Sequence, residues 1–547
     1  MAKIDSFYEV TDKSNYYLGM ISKVTRSHAV IQIENLSLFS YRKTRTDIIV
    51  PNTINYYVLI DSTRGLFFGE IFKSEVPNSD SVHEMLINGL RDSVFPEVSI
   101  DILGYIPLGE KYFELTGTNT VGITDKVYIA NAQVLELFIK SIEVNPGSES
   151  QLSTFAKLAF SSQDYPIKIQ PKTLFNRHLM TVGTTNSGKS TSSLSILDKL
   201  INDGIRTLII DPTGEYRDSF NDEEVDKYIL GKTAFLSVSE ISINQWSILF
   251  ETNSGTQPAV LAEAIRSLRF QYRIDKNEIY NKAGKLITEV EEDLAEVSDK
   301  DRDFNIYKLP AQIAAESNKQ DRNGMLTRDI FMYNTNQHLV RKVNYKLENT
   351  SLTDFFASNE KASDKNSMID IIKEFSKGNT NKSLYIDASQ IGTTDGIGGM
   401  IIDVISNLLV NLDSKQIEPF VMFIDEVHRY TKSINSDGFT FHTGLTSIAR
   451  EGRKKGIFLF LTTQNPNDVD KMLLGQIGTL LIHRLTSLDE LQAIKNHVSE
   501  NQFGQIKKLN TGEAILTSIN LLKDLYVQVE KCHRTHHNST PSLWIKK

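Results

Sequence analysis

The stretch GTTNSGKST, residues 183–191, has the glycine spacing of a loop that wraps the phosphates of a nucleotide. In such a loop, Gly183 and Gly188 let backbone N–H groups turn inward around phosphate oxygens. Lys189 can reach the β- and γ-phosphates of ATP, and Ser190 can ligate Mg²⁺. The alternative is a small polar turn without a ligand. The nucleotide-binding residues predicted here are Gly183, Thr184, Thr185, Asn186, Ser187, Gly188, Lys189, Ser190 and Thr191.

The segments on both sides of this loop alternate between strand and helix. RHLMTVG (177–183) predicts a strand that leads straight into the loop, and Leu194, Leu197 and Ile201 behind it repeat at helical spacing. That helix points its positive end at a bound anion. This alternation predicts an α/β fold with a parallel sheet. Further strands are predicted at 206–211, 383–387, 418–425, 457–463, 479–485 and 512–518.

An acidic pair ends one of these predicted strands. VMFIDE (421–426) places Asp425 at the carboxyl end of a buried strand, which is where α/β folds bind their ligands. Asp425 would hold Mg²⁺ through water, and Glu426 would polarise the attacking water as a general base. Together with the phosphate loop, the pair predicts hydrolysis of ATP. The alternative is a polar cap on a buried strand.

Polar and basic side chains beside other predicted strands extend the site. Asp211 and Glu215 follow one strand in the sequence DPTGEY, and Gln464 follows another, where it can sense the γ-phosphate. Each is also compatible with an ordinary turn. The arginines of REGRKK (450–455) can stabilise the charge that develops in phosphoryl transfer, often from a neighbouring subunit. A basic helix end favoured by the helix dipole is the alternative.

The composition is that of a water-soluble chain with several domains. The chain has 547 residues, which is too long for one ordinary core, and 23% of them are charged. No apolar run approaches the roughly 18 residues that a membrane span needs, and the start has no secretory leader. Cys532 is the only cysteine, which fits a reducing cytoplasm. The net charge of −8 argues against a surface coated with basic residues, but a locally basic channel remains compatible with it.

Two regions flank or interrupt the α/β pattern. Between residues 255 and 380 the strand signal disappears, and this segment predicts a helical insertion with one apolar face at Ile287, Val290, Leu294 and Val297. The part before about residue 140 predicts a small β-barrel, with an open antiparallel sheet as the alternative. Its short apolar or alternating runs are LGMISKV, HAVIQIE, YYVLIDS, LFFGEIF and VSIDILGYI.

Four motifs of this chain resemble the HerA family of hexameric DNA translocases, which belongs to the same broad group as the FtsK-type pumps. They are RHLMTVGTTNSGKS, IIDPTGEY, FIDEVHRY and IAREGRKKGIFLFLTTQNPNDVDKMLLGQIGTLLIHRL, in the order that the family has them. The resemblance implies an α/β P-loop (RecA-like) ATPase domain with an N-terminal small β-barrel and a helical insertion. The implied divisions are a barrel at 1–140, the ATPase core at 141–254 and 381–530, a helical bundle at 255–380, and a tail at 531–547 that braces the neighbouring subunit.

The resemblance also implies roles for individual residues. The residues argued above to act on phosphate, Mg²⁺ and water keep those roles, and Gln464 becomes the γ-phosphate sensor. Arg177 matches an arginine that the family places near the nucleotide. Arg450 and Arg453 match the segment that supplies an arginine finger to the neighbouring subunit, and we favour Arg453.

The partners implied by the resemblance are a homohexameric ring, double-stranded DNA in its pore, ATP and Mg²⁺, with no membrane. A separate effector protein, such as a nuclease or a sirtuin-like NAD-consuming enzyme, would act with the motor in DNA processing or anti-phage defence. Two alternatives stay open. One is a ring scaffold that assembles and activates a partner effector with nucleotide as the switch, and the other is a peripheral secretion or conjugation ATPase.

Overall fold

The computed structural model divides the chain into two units. The first unit comprises residues 1–174 and 515–528, and the second comprises residues 175–514 and 529–547. A short excursion near the end of the chain therefore completes the first unit. The structure describes residues 4–25, 28–44, 48–49, 54, 56–76, 84, 87–89, 94–144, 150–159, 165–253, 255–357, 366–391, 395–431, 444–498 and 500–536.

The first unit contains a closed antiparallel barrel. The first ten strands of the chain are β1 (Tyr17–Val24), β2 (Ala29–Gln32), β3 (Arg42–Lys43), β4 (Ile48–Ile49), β5 (Tyr56–Ser62), β6 (Gly65–Glu75), β7 (Glu97–Pro107), β8 (Lys126–Ile129), β9 (Ala156–Leu158) and β10 (Pro166–Ile167). The barrel order is β1-β2-β7-β6-β5-β8, and closure leaves no unpaired edge. The predicted barrel is confirmed. The sequence analysis missed β8, because KVYI is short and begins with a charged residue.

The strands of the second unit are numbered onward from the barrel. They are β11 (Leu179–Val182), β12 (Thr207–Asp211), β13 (Val225–Ile229), β14 (Ala234–Ser237), β15 (Asn318–Gln320), β16 (Leu326–Arg328), β17 (Phe356–Ala357), β18 (Asn366–Ser367), β19 (Ser383–Asp387), β20 (Phe420–Ile424), β21 (Ile457–Thr463) and β22 (Thr479–Ile482). The last two strands are β23 (Glu513–Ser518) and β24 (Leu525–Val529), and most of their residues belong to the first unit.

A parallel sheet organises the second unit. Its order is β22-β11-β21-β20-β12-β19-β13, and each adjacent pair in this part of the sheet is parallel. All residues of β11, β12 and β20 are buried, as expected for parallel strands that are covered on both faces. Because the strands are parallel, their carboxyl ends lie along one edge, and the predicted site residues that follow β11, β12, β20 and β21 converge there.

Helices connect and cover these strands. They are α1 (Lys13–Tyr16), α2 (Ala132–Lys140), α3 (Pro171–Phe175), α4 (Lys189–Asn202), α5 (Ile243–Leu249), α6 (Gln257–Arg273), α7 (Ile287–Ala295), α8 (Leu309–Ala315), α9 (Ile330–Leu347), α10 (Thr350–Phe355), α11 (Met368–Ser376), α12 (Asp395–Asn411), α13 (Gly444–Glu451), α14 (Lys471–Leu474), α15 (Leu488–Ala493) and α16 (Glu500–Ile506). Within the described parts of the chain, no helix combines the length and apolar character needed to cross a bilayer.

The described residues between 255 and 380 are mostly helical, with helices α6 to α11, but they also contain the small antiparallel hairpin β15–β16 and the short strands β17 and β18, which pair with β14. Val290 and Leu294 of α7 are buried in a cluster, and Ile287 and Val297 pack against it. The apolar face predicted from the sequence is therefore the packed face. The rest of the cluster is Phe270, Tyr280 and Leu326.

The described part of the tail, residues 531–536, is held in the second unit by Arg534. Its guanidinium donates to Asp198 of α4 at 2.6 Å and to Glu224 at 2.8 Å. Residues 537–547 of the predicted tail lie outside the described residues, so its bracing role stays a prediction.

Candidate nucleotide-binding site

The phosphate loop connects β11 to α4 at the carboxyl edge of the parallel sheet. Both of its glycines are required by close packing. A Cβ atom at Gly183 would lie 2.5 Å from the hydroxyl of Ser187, and one at Gly188 would lie 2.7 Å from the backbone nitrogen of Gly512. Gly188 also has a left-handed φ of 101°, which other residues adopt only with strain. The loop conformation therefore depends on glycine at both positions.

Hydrogen bonds from Thr511 and Gly512 hold the outer turn of the loop in place. The hydroxyl of Thr511 donates to the carbonyl of Asn186 at 3.1 Å, and the N–H of Gly512 donates to the carbonyl of Ser187 at 3.0 Å. The hydroxyl of Thr184 donates to a backbone carbonyl at 3.1 Å. Ser190 and Thr191, the last residues of the predicted set, lie in the first turn of α4.

Lys189 and Glu426 form a buried ion pair. The ammonium group of Lys189 donates a hydrogen bond to Oε1 of Glu426, which directly follows Asp425 at the end of β20. Burial raises the pKa of Glu426, but the hydrogen bond from His428 and the charge and hydrogen bond of Lys189 outweigh it and hold that pKa low. The predicted phosphate ligand and the predicted base are thus paired with each other.

Gln464 joins the phosphate loop to Glu426. Its amide nitrogen donates to Oε1 of Glu426 at 2.7 Å, and its backbone N–H donates to Oε2 at 3.1 Å. Its amide oxygen accepts a hydrogen bond from the hydroxyl of Thr185 at 2.8 Å. A single side chain therefore connects the loop at Thr185 to Glu426, and the role of Gln464 as γ-phosphate sensor stays a prediction.

Asp425 lies deeper, beneath this network. Its side chain is buried and accepts a hydrogen bond from the hydroxyl of Thr462, which in turn accepts one from the backbone N–H of Glu426 at 3.0 Å. Burial raises the pKa of Asp425, and the charge of Lys189 opposes that rise. The backbone of Glu426 has a left-handed φ of 49°, a strained conformation that is common at functional sites.

Asp211 and Glu215 occupy the same edge but differ in their surroundings. Both carboxylate oxygens of Asp211 accept hydrogen bonds from the turn that follows it, including the N–H groups of Gly214 and Tyr216 at 2.8 Å. The hydroxyl of Tyr385 donates to it as well, at 2.8 Å. Asp211 therefore shapes the turn. Glu215, within that turn, has a pKa raised to about 7 by burial and by the charges of Asp425 and other carboxylates.

The donor set fits Mg²⁺. Glu215 interacts electrostatically with Asp425, Glu426 and Lys189, and hard oxygen donors such as these carboxylates are the ligands that Mg²⁺ prefers. Ser190 and Asp425 are the residues that would hold the ion. No group of three or more His, Cys, Asp or Glu side chains among the described residues is arranged to hold a metal by itself. Phosphate and water oxygens would therefore complete the coordination.

The three predicted arginines lie at the opposite edge of the sheet. Arg177 precedes β11, while Arg450 and Arg453 precede β21, and all three are exposed. β21 has 7 residues, and its length of about 23 Å separates Arg453 from Gln464. The structure therefore does not bring these arginines to the nucleotide site of their own chain. Their action on the nucleotide of another subunit stays a prediction.

The sequence analysis missed two residues of the network. Nδ1 of His428 lies 3.2 Å from Oε2 of Glu426, and the hydroxyl of Thr462 bridges the acidic pair. The available signal for Thr462 was its place two residues before Gln464, at the carboxyl end of a predicted strand. His428 follows Glu426 by two residues, but spacing alone did not show that its ring turns back toward the carboxylate.

Comparisons with known proteins identify the family of the chain. Residues 156–403 match the family model described as Helicase HerA, central domain, and residues 289–531 match Helicase HerA-like C-terminal. A DNA double-strand break repair helicase HerA of Sulfolobus acidocaldarius is 22% identical over 420 residues, which is 73% of this chain and 75% of the relative. A probable helicase of Methanocaldococcus jannaschii is 22% identical over 433 residues, covering 75% of each chain.

Solved structures of distant proteins are also similar to the chain. The bacterial conjugative coupling protein TrwB matches with a TM-score of 0.45 and 13% identity, over 71% of this chain and 92% of that one. VirB4 of Thermoanaerobacter pseudethanolicus matches with a TM-score of 0.46 and 12% identity, over 71% and 98%. The two family models together extend from residue 156 to residue 531 and enclose every residue of the nucleotide site, and the chain belongs to the HerA-type P-loop ATPases.

Proposed function

We propose that the chain is an ATP-hydrolysing motor that moves along double-stranded DNA as a homohexameric ring. The observation that carries the proposal is the network at the carboxyl edge of the sheet, where Lys189 and Gln464 both donate hydrogen bonds to Glu426. These are a phosphate ligand, a base and a sensor. Relatives named as DNA double-strand break repair helicases support DNA as the substrate.

The ion pair suggests how ATP binding activates the site. The phosphates of ATP compete with Glu426 for the ammonium group of Lys189, because they carry more negative charge than one carboxylate. Once released, Glu426 can accept a proton from the attacking water. Mg²⁺, held by Ser190 and Asp425, would offset the charge of the phosphates. Gln464, bonded to both Thr185 and Glu426, links occupation of the loop to the position of the base.

The ring follows from the position of the arginines. Phosphoryl transfer is accelerated by a cation that stabilises charge on the transferred group, and the family resemblance assigns that role to an arginine of the neighbouring subunit. Arg177, Arg450 and Arg453 lie at the edge from which they would reach a neighbour. Arg453 is the favoured finger. A closed ring gives every site such a neighbour, and a hexamer is the number that the family resemblance implies.

The proposed setting is the cytoplasm, with a separate effector protein. The chain holds one phosphate loop and no second catalytic motif that we could identify in its sequence. A partner nuclease or sirtuin-like NAD-consuming enzyme would therefore supply any further chemistry. Such a pair would serve DNA processing or anti-phage defence.

ATP hydrolysis by the purified chain, with and without linear double-stranded DNA, tests the proposal. Lys189→Ala is the blank, because it removes the phosphate ligand. We expect hydrolysis that DNA stimulates several-fold and that the variant lacks. Hydrolysis that ignores DNA would contradict the motor and favour a ring scaffold that switches a partner effector.

A further inference from the structure

A buried histidine links the phosphate-loop strand to the segment that carries the predicted arginines. His178 directly precedes β11 and is 2% exposed. Its φ of 60° lies in the left-handed region, which is uncommon for a residue other than glycine. The surrounding structure must compensate for that strain, and the hydrogen bonds of the imidazole ring show how it does so.

Both ring nitrogens of His178 are engaged. The backbone N–H of Leu459, in β21, donates to Nδ1 at 2.9 Å. Nδ1 is therefore an acceptor, and the proton of the neutral ring is on Nε2, which donates to the carbonyl of Ala449 at 3.0 Å. Burial lowers the pKa of His178, as do the nearby charges of Arg453 and Arg177, so the ring is neutral at physiological pH.

These contacts place His178 among all three arginines. Ala449 directly precedes Arg450 in the last turn of α13. The guanidinium of Arg453 donates to the carbonyl of Asn176 at 3.4 Å, two residues before His178. Arg177 packs on Gly478, where an added Cβ would lie 2.5 Å from the Cβ of the arginine.

We propose that His178 is a positioning residue that holds the arginine edge in register with the strands that end at the nucleotide site. Through Leu459 it binds the strand that leads to Gln464, and through Ala449 it binds the helix that presents Arg450. It lies at the amino end of β11, so it does not contact the phosphate loop at the other end. The inference rests on the proposed function, in which these arginines complete a neighbouring site.

Two substitutions separate the two hydrogen bonds. In His178→Gln, the side-chain amide nitrogen replaces Nε2 and keeps the donor to Ala449. In His178→Asn, the amide oxygen replaces Nδ1 and keeps the acceptor for Leu459. Asparagine also tolerates the left-handed backbone better than glutamine. If His178 has a purely structural role, the asparagine variant should have the higher melting temperature and the higher kcat. If His178 is a positioning residue, the glutamine variant should have the higher kcat.

The measurements are kcat for ATP hydrolysis, Kd for a fluorescent ATP analogue, and the melting temperature of each variant. We expect unchanged Kd in both variants, because the phosphate loop is intact. We expect kcat of His178→Asn to fall about 10²-fold, the cost of misplacing a catalytic group by about 1 Å, while His178→Gln retains most activity. Loss of kcat in step with melting temperature, or failure of both variants to fold, would overturn the proposal.

Mixed rings provide the second test. His178→Asn has an intact site but a displaced arginine edge, and Glu426→Gln has the reverse defect. Mixing the two inactive proteins should restore hydrolysis, because sites of the first then meet arginines of the second. A mixture of Arg453→Ala with Glu426→Gln is the reference. If only the reference recovers, the role of His178 is wrong; if neither recovers, action of the arginines on a neighbour is wrong, and the inference about His178 falls with it.

Discussion

Replacing Glu426 by glutamine tests the ion pair that closes the nucleotide site. The substitution keeps the size of the side chain and removes its negative charge. In the structure the carboxylate of Glu426 accepts hydrogen bonds from Lys189 and from the backbone N–H and side-chain amide of Gln464. We expect two opposite effects: tighter binding of ATP, because Lys189 is released more easily, and loss of turnover, because an amide cannot accept the proton of water.

The magnitudes follow from the contacts. An amide oxygen still accepts a hydrogen bond from Lys189, so the resting state loses only the difference between a charged and a neutral bond, about 1 kcal/mol. That corresponds to a Kd for ATP about fivefold lower. Loss of a general base slows hydrolysis by about 10²- to 10⁴-fold. The variant should therefore bind ATP better than the natural chain while turning it over at least about 100-fold more slowly.

Titration with a fluorescent ATP analogue gives Kd, and phosphate release gives kcat. The matched control is Glu316→Gln in the helical insertion, which breaks another buried pair, since Glu316 lies 2.5 Å from the ammonium group of Lys282. The control should lower the melting temperature and leave both ATP constants unchanged. Weaker ATP binding by Glu426→Gln would refute the idea that ATP displaces Glu426 from Lys189. Turnover within tenfold of the natural chain would remove Glu426 as the base.

Three further predictions concern the loop, the turn and the arginine edge. Gly188→Ala should abolish ATP binding, because its Cβ would lie 2.7 Å from the backbone of Gly512, whereas Gly204→Ala, also left-handed but with open space around it, should cost only about 1 kcal/mol in urea unfolding and still bind ATP. Glu215 binds its proton more tightly in the folded chain than the ordinary pKa of 4.5 implies, so the free energy of unfolding falls as pH rises from 4.5 toward 7. Glu215→Gln should remove that fall. Melting temperatures of the variant and the natural chain at pH 5 and pH 8, without Mg²⁺, test this, and we expect the difference in favour of the variant to be larger at pH 8. Arg453→Ala should be inactive alone yet recover hydrolysis when mixed with Glu426→Gln, and an active Arg453→Ala ring would point to Arg450 or Arg177 instead.

The phosphate loop and the acidic pair were predictable because short-range sequence determines both. Glycine spacing fixes the loop, and an apolar run followed by Asp425 and Glu426 fixes the end of a buried strand. Parallel pairing then brings the strand ends together, so the identity of the site follows from the motif and the fold class. The position of the arginines follows in the same way, because a residue that precedes a parallel strand lies at the edge opposite the site.

The pairing within the site was not predictable. Lys189 and Glu426 are 237 residues apart, and the sequence does not show that they contact each other. The surroundings of Asp211 were also hidden, since its hydrogen bonds come from its own turn and from Tyr385, 174 residues away. His178 lies within the motif RHLMTVGTTNSGKS, but that motif does not show what its side chain contacts. Its role emerged only from contacts with two elements more than 270 positions later in the chain.

Displacement of a triplex-forming strand from linear duplex DNA is the most direct test of the motor. ATP-driven movement along the duplex removes the third strand, whereas binding or hydrolysis alone leaves it in place. We expect the natural chain to displace the strand only when ATP and Mg²⁺ are present, and Glu426→Gln to bind ATP without displacing it. Hydrolysis of ATP in the presence of this DNA, with the third strand still bound, would contradict the account.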